Sequence, residues 1–345
     1  MTDAGAWAGA AVLLAVFVIS WRLTGAVRRY ALSRRLLDVP NERSSHVVAT
    51  PRGGGVALVL AVLAALPLLG GLGALAWTAV WGALGAGTLV AAVGFADDHR
   101  PMSPRARLAG HFAAAAWALV WLGGMPPVPA FGVLWDLGWV ANLLAAVYLV
   151  WVLNLTNFMD GIDAIAGVEV VTVCAAGMVL GLVASGAPVG WQLPGVLAAA
   201  ALGFLLWNWP PARIFMGDVG SGFVGLMVGF ISVEAGWRVP RLFWVWVILL
   251  GVFVVDATVT LLRRSARREK ILRAHRSHAY QHAARRWRAH KPVALVVGVL
   301  NLCWLLPVAF FVARGALDGP LGVAIGYAPL VALALYLRAG LPTAD

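Results

Sequence analysis

Charge is scarce in this chain. Asp, Glu, Lys and Arg make up 12% of its 345 residues, about half the roughly 25% of a soluble domain. Acids are the rarer sign, 15 against 26 Lys and Arg. The two cysteines, Cys174 and Cys303, both fall in predicted helices, which excludes a disulfide framework or a thiolate zinc set. No internal repeat, low-complexity tract or break in composition divides the chain, so it reads as one domain over 1–345. The first apolar stretch has no basic segment before it. Asp3 precedes it and Arg28-Arg29 follow it, so it reads as a retained anchor rather than a cleaved signal.

Apolar length is what the chain has in quantity. Hydrophobic residues are 61% of it, in runs near 20 residues long enough to cross a ~30 Å hydrocarbon core. The runs predict an all-α polytopic membrane protein of about eleven transmembrane helices, near 4–24, 55–73, 75–95, 107–123, 134–153, 164–184, 193–208, 219–236, 242–262, 293–313 and 319–338. With the N-terminus outside, Arg28, Arg29, Arg34, Arg35, Arg43, Arg52, Arg100, Arg105, Arg107, Arg213 and the run from Arg263 to Lys291 are all inside. Only Arg238, Arg241 and Arg314 stay outside. That asymmetry predicts N-terminus out, C-terminus in and a cytoplasmic-membrane location. It also accounts for the net charge of +11 without nucleic acid, through anionic lipid headgroups. Tryptophans near helix ends, such as Trp7, Trp21, Trp77, Trp191 and Trp237, fit interfacial belts. The predicted outer loops are short, which places any chemistry at the inner face.

The few acids gather at that face, and carboxylates at membrane depth mark function by default. Asp97-Asp98 end one helix, where adjacent carboxylates repel unless a cation is near. Arg105 and Arg107 follow within one loop. In Asn154-Leu-Thr-Asn157-Phe-Met-Asp160-Gly-Ile-Asp163, a helix would set Asn157, Asp160 and Asp163 at steps of three along one slowly drifting face. Their oxygens are hard ligands suited to Mg²⁺. In Phe215-Met-Gly-Asp218-Val-Gly-Ser221-Gly, Asp218 is either a helix cap or a metal ligand beside phosphate-binding N–H groups. The run Arg52-Gly53-Gly54-Gly55, with Arg43, Ser44, Ser45 and His46 before it, reads as an anion-binding turn or a plain helix start. His275, His278 and His282 are spaced to share a helix face and point to phosphate or sugar contacts, or to zinc. Asp256, about two turns inside the preceding helix, is placed to pair with Arg263 or a neighbour.

Together these motifs resemble the polyprenyl-phosphate N-acetylhexosamine-1-phosphate transferases, over Asp38 to His282. This superfamily includes the undecaprenyl-phosphate N-acetylglucosamine-1-phosphate and phospho-N-acetylmuramoyl-pentapeptide transferases. The segment Pro40 to Gly55 looks most like members that start O-antigen and related surface polysaccharides. The resemblance implies transfer of a sugar-1-phosphate from a UDP-N-acetylhexosamine to polyprenyl phosphate, with release of UMP. It implies Mg²⁺ on Asp218 and Asn157, with Mn²⁺ as a substitute, and Asp97 near the lipid phosphate. Asp163 and Phe215 would meet the uracil, and His275-Arg276-Ser277-His278 the sugar diphosphate. Asp98, Arg105 and Asp160 join the catalytic set, and Arg52 and Asn154 the substrate-binding set. A Lys usual in the family after the Asp pair is replaced here by Arg105, and a Gln by His111. The His motif is not the triple His of the muramoyl-pentapeptide enzymes, which argues against a peptidoglycan role. The implied partners are the two substrates and membrane lipids, with a homodimer left open.

The chemistry is self-consistent. A phosphomonoester is mostly dianionic at pH 7, its second pKa being about 6, so the main task is to offset repulsion between phosphates. Direct attack is favoured over an acyl-phosphate on an Asp. A transporter of an anionic substrate is the competing reading, but it predicts polar residues near the bilayer midplane, not at one face.

Overall fold

In lipid a backbone must satisfy its own N–H and C=O groups, and this chain does so with helices. The computed structural model describes residues 3–40, 48–100, 102–187, 190–269 and 275–342. The helices are α1 (Asp3–Ser33), α2 (Gly55–Gly71), α3 (Trp77–His99), α4 (Pro104–Leu122), α5 (Gly138–Met159), α6 (Ile165–Ser185), α7 (Gln192–Asn208), α8 (Asp218–Arg238), α9 (Leu242–Leu249), α10 (Gly251–Ala266), α11 (Ala279–Trp287), α12 (Lys291–Leu300), α13 (Leu306–Ala313) and α14 (Gly319–Tyr336). Two short antiparallel ribbons complete the described residues. One pairs β1 (Leu37–Asp38) with β2 (Thr50–Pro51), the other β3 (Val128–Ala130) with β4 (Val133–Trp135).

Each of the eleven expected segments is helical. Among the described residues, seven helices are long and apolar enough to cross a membrane, or eight if α9 and α10 count as one span bent by 65°. The expected eleven crossings therefore exceed what length and composition support. The helices α2 and α7 have 17 residues each, about 26 Å at 1.5 Å per residue. The helix α4 begins with Arg105 and Arg107 in its first turn. It starts earlier than expected because Ser103 caps it, accepting from the Ala106 N–H at 3.2 Å, with Pro104 next, a favoured pair at a helix start. The helix α5 starts later than 134, because Pro129, Gly132 and Asp136 build the β3–β4 hairpin there; the Asp136 carboxylate takes the Gly138 N–H at 3.0 Å.

The helix α8 is the axis of the bundle, with every residue from Val219 to Gly236 buried. It packs against α2, α3, α5 and α9. Small residues let helices close in lipid, and here the need is explicit. A Cβ on Gly55 would lie 2.4 Å from the Gly220 Cα, so the start of α2 presses directly on the start of α8. Between α12 and α13 the helix widens over Asn301–Leu305. There the fully buried Asn301 donates to Glu169 Oε2 at 2.7 Å and to Thr172 Oγ1 at 2.9 Å.

The two ends of the bundle differ. The ends of α1, α3, α5, α7 and α10 and the starts of α2, α4, α6, α8 and α12 lie together with the conspicuous acids. The opposite end holds the three arginines that break the charge asymmetry. Arg238 pairs with Glu234, Arg241 donates to the Ala313 and Ala184 carbonyls, and Arg314 lies over the Phe310 ring.

Candidate active site

Three helix termini supply the centre of the site. Asp97 and Asp98 sit in the last turn of α3, Asn154 and Asn157 in the last two turns of α5, and Asp218 opens α8. The Asn157 amide nitrogen donates to Asp218 Oδ1 and to Ser221 Oγ, both at 2.9 Å. Arg107 donates to Asp97 Oδ2 at 2.8 Å and reaches within 3.9 Å of Asp218 Oδ2. The other Asp97 oxygen takes the Met102 N–H at 2.6 Å. Asp98 accepts from the Val219 N–H at 3.3 Å, while Arg52 donates to its backbone carbonyl. Asp98 thus faces the first turn of α8, where free N–H groups favour an anion.

The turn after α5 carries the other acids. Asp160 caps α5, and Ala164 takes a left-handed backbone with φ of 67°. Asn208, at the end of α7, ties this turn to the segment before α8 with its amide. Its oxygen accepts the Ala164 N–H at 2.8 Å and its nitrogen donates to the Ile214 carbonyl at 3.0 Å. Asp163 is 8% exposed. One of its oxygens accepts the Ala212 N–H at 3.0 Å and the other lies 3.1 Å from His290 Nδ1. Burial pushes the Asp160 carboxyl well above its ordinary value, and the charges of Asp218, Asp163 and Asp98 push it further. Such a set calls for a cation.

The helix α11 closes one side, and Asp256 of α10 holds its start. The Asp256 oxygens accept the Ala279 N–H at 2.8 Å and the Tyr280 N–H at 2.9 Å, with His278 Nδ1 at 3.3 Å. A carboxylate at orphan N–H groups acts as a cap supplied from another helix. The Tyr280 hydroxyl then donates to the Phe158 carbonyl at 3.0 Å. A Cβ on Gly161 would sit 2.1 Å from that hydroxyl, so only glycine lets Tyr280 dock on the Asp160 turn. His275 stacks on His278 at 4.9 Å between ring centres. Burial, with the neighbouring His278 and Arg264, pushes the His275 pKa down to about 3, so the ring is neutral near pH 7.

Three cavities meet here. A polar one of about 330 Å³ is lined by Arg52, Asp98, Asn157, Asp160, Asp163, Phe215, Asp218 and His290. An outer one of about 670 Å³ shares Asp163, Phe215, Gln281 and His290, and adds Arg276, Arg285, Arg288 and Lys291. A groove of about 410 Å³ runs along Val90, Leu108, Trp151, Leu153 and Leu261, with Asp97, Arg105, Arg107, His111 and Asn154 also on its walls. Asn157 and Asp218 line both the polar cavity and the groove.

The donor set fits Mg²⁺. No group of three His, Cys, Asp or Glu forms a ready-made cage among the described residues. Mg²⁺ usually takes one or two carboxylates and fills its shell with water and substrate phosphate, which suits Asp218 and its amide neighbour.

Several expectations change. Asn157, Asp160 and Asp163 do not share a helix face, because α5 ends at Met159. The histidines do not share one either. His278 is the residue before α11, His275 lies outside it, and His282 turns to the Leu341 carbonyl. Asp256 pairs with the start of α11, not with Arg263, which donates to the Ala339 carbonyl. The Gly54 and Gly55 N–H groups bond the Phe215 and Met216 carbonyls, both at 2.9 Å, so they join two loops rather than await phosphate. Asn154 faces the groove, 3.3 Å from His111 Nδ1. Arg105 is exposed on the groove wall, and Arg107 is the arginine that meets the acids. Arg43, Ser44, Ser45 and His46 lie outside the described residues. Sequence reasoning missed Tyr280, Gln281, His290 and Asn208. The Pro210-Pro211 pair after α7 signals a turn beside Asn208; His290 carries no local signal.

The profile of glycosyl transferase family 4 matches residues 80–236. A decaprenyl-phosphate N-acetylglucosaminephosphotransferase of Mycolicibacterium smegmatis is 30% identical over 96% of this chain and 89% of its own length. A probable undecaprenyl-phosphate N-acetylglucosaminyl 1-phosphate transferase of Bacillus subtilis is 28% identical over 84% of this chain and 80% of its own. A phospho-N-acetylmuramoyl-pentapeptide-transferase of Moorella thermoacetica is 36% identical, over 50% of this chain and 57% of its own.

Proposed function

Because the chain belongs to the polyprenyl-phosphate N-acetylhexosamine-1-phosphate transferase superfamily, we propose that it moves an N-acetylhexosamine-1-phosphate from a UDP-sugar to a polyprenyl phosphate. The product, a polyprenyl-diphosphate sugar, starts a surface polysaccharide or related envelope glycan. One observation carries this reading: Asn157 and Asp218 stand where a polar cavity opens into an apolar-walled groove. A reaction between a charged nucleotide and a lipid phosphate needs such a junction.

The groove suits a prenyl chain along Val90, Leu108, Trp151 and Leu261, with its phosphate at Arg105 and Arg107. The polar cavity and its basic extension suit the nucleotide sugar, with Phe215 as a stacking face and Arg276 and Arg285 as diphosphate donors. An oxygen of the lipid phosphate attacks the sugar-bound phosphorus, the bond to the UMP oxygen breaks, and UMP leaves with that electron pair. The nucleophile is already ionised near pH 7, so no strong base is required. Asp97 has one oxygen on Arg107 and the other on the Met102 N–H, which suits it to orient Arg107 rather than to accept a proton. Asp163 holds the cavity wall through Ala212 and His290. Bound Mg²⁺ would neutralise phosphate charge at Asp218 and Asn157.

The direct test is UMP release in vesicles holding the full chain, across a panel of UDP-N-acetylhexosamines. UMP should appear only when polyprenyl phosphate and Mg²⁺ are both present. Release without lipid phosphate, or none with any donor, would overturn the reading. The Arg asymmetry supports a cytoplasmic position for this face. Ser185→Cys should then react with an impermeant thiol reagent in intact cells and Ser265→Cys should not; the reverse would invert the topology.

A further inference from the structure

Behind α11 lies a cavity of about 250 Å³ between α10, α11, α12 and α14, whose lining includes none of Asp97, Asp98, Asp160, Asp163 and Asp218. Its floor is buried and apolar, formed by Val255, Ala283, Val297 and Ala334. Its polar groups are already engaged. Both Asp256 oxygens accept from the start of α11, and the Tyr280 hydroxyl donates to the Phe158 carbonyl. The part of a guest seated on this floor therefore finds no unmet hydrogen bond and must itself be apolar. The rim has a different character. Trp287 and Tyr336 are 45% and 67% exposed, and the Arg286 guanidinium lies 5.6 Å from the centre of the Tyr336 ring. Arg263 bonds the Ala339 carbonyl beside Arg338, so three cations gather around the last residues of α14. Exposed Trp, Tyr and Arg above an apolar slot are what a headgroup boundary selects.

We propose that this cavity holds one acyl chain of an anionic phospholipid, with the headgroup phosphate against Arg286. It is separate from the groove proposed for the prenyl chain. The cavity is lined by Val252, Val255 and Asp256 of α10 and the groove by Ala257, Thr260 and Leu261, faces turned roughly 140° apart at 100° per residue. The lipid would back α11 from behind while Tyr280 docks on the Asp160 turn in front.

The test needs no turnover. The full chain is placed in phosphatidylcholine nanodiscs with trace phosphatidylglycerol or phosphatidylcholine carrying a mid-chain diazirine. The phosphatidylglycerol probe should label α11, α12 and α14 peptides at least about fivefold more than its zwitterionic counterpart. Ala334→Phe, which fills the slot, and Arg286→Gln, which removes the rim charge, should each cut that labelling about threefold or more. Labelling of α5 should not change. Equal labelling by both probes, or labelling that survives Arg286→Gln, overturns the proposal. Displacement by equimolar polyprenyl phosphate also overturns it and assigns the cavity to the acceptor.

Discussion

The two ends of the helix bundle use charge in opposite ways. At one end Arg241 closes two carbonyls at the ends of α6 and α13, and Arg238 pairs with Glu234 within a single helix. Those charges satisfy backbone and one another. At the other end Asp97, Asp98, Asn157, Asp160 and Asp218 surround open volume, and Asp160 is held far above its ordinary pKa by burial and by its neighbours. That arrangement costs stability, and the proposed cation and phosphates would offset the cost. A protein retains such a cost where function requires it. Location alone therefore does not mark a site in this bundle: what matters is whether the groups are mutually satisfied.

The heaviest loss should follow Asp218→Asn, which removes the anionic oxygen at the cavity junction. Turnover should fall about 10³-fold or more with thermal stability unchanged or higher, since a repelled carboxylate is gone. Activity close to wild type at equal Mg²⁺ would remove Asp218 from the site. Next comes Gly161→Ala. The added methyl meets the Tyr280 hydroxyl and should lower kcat/KM by about 10²-fold, a size expected when a misplacement near 1 Å reaches the reacting groups. Combining it with Tyr280→Phe should restore part of the loss; no restoration would mean the methyl acts elsewhere.

Arg107→Ala should cost about 30-fold in kcat/KM, or ~2 kcal/mol, because Arg107 spans Asp97 and Asp218. Arg105→Ala should cost several-fold less, and equal losses would return Arg105 to the centre. Asp256→Asn weakens the cap on α11 and should lower stability by about 1–2 kcal/mol. Its KM for the UDP-sugar should rise more than kcat falls; a change in the lipid KM alone would place α11 on the acceptor side. The smallest effect on catalysis belongs to the opposite end. Arg241→Gln should lower the unfolding temperature through two lost charged hydrogen bonds, about 1–3 kcal/mol, with kcat unchanged. A kcat defect there would show that the two ends communicate.

Much of the site was legible because its motifs sit where apolar periodicity stops. Asp97-Asp98, Asn157 and Asp218 could be placed at helix termini by counting residues from the apolar runs, and the charge asymmetry put them at one end. Reading failed where a local pattern was extended past a helix end. Steps of three in Asn157, Asp160 and Asp163 suggested one face, but α5 ends at Met159, and Gly161 beyond it admits Tyr280 from a segment over 100 residues away. The choice between Arg105 and Arg107 was readable in principle. Ser103-Pro104 starts a helix, residues two apart in it point roughly 200° from one another, and only one of the two can meet Asp97.

Two things were readable without any packing: the chain is an all-α membrane protein, and its aspartate clusters, their amide neighbours and most of its arginines lie at one end. Composition and period decide this, because lipid admits few backbones and Arg distribution orders the loops. How those groups divide the work was set by the packing of the helices. It put Asn157 and Asp218 at the opening between two cavities and spent the Gly54 and Gly55 N–H groups on neighbouring carbonyls. It also turned Asp256 from a buried acid into the anchor of α11. These contacts join segments far apart in the chain, and which donor meets which acceptor depends on how helices pack rather than on any local spacing.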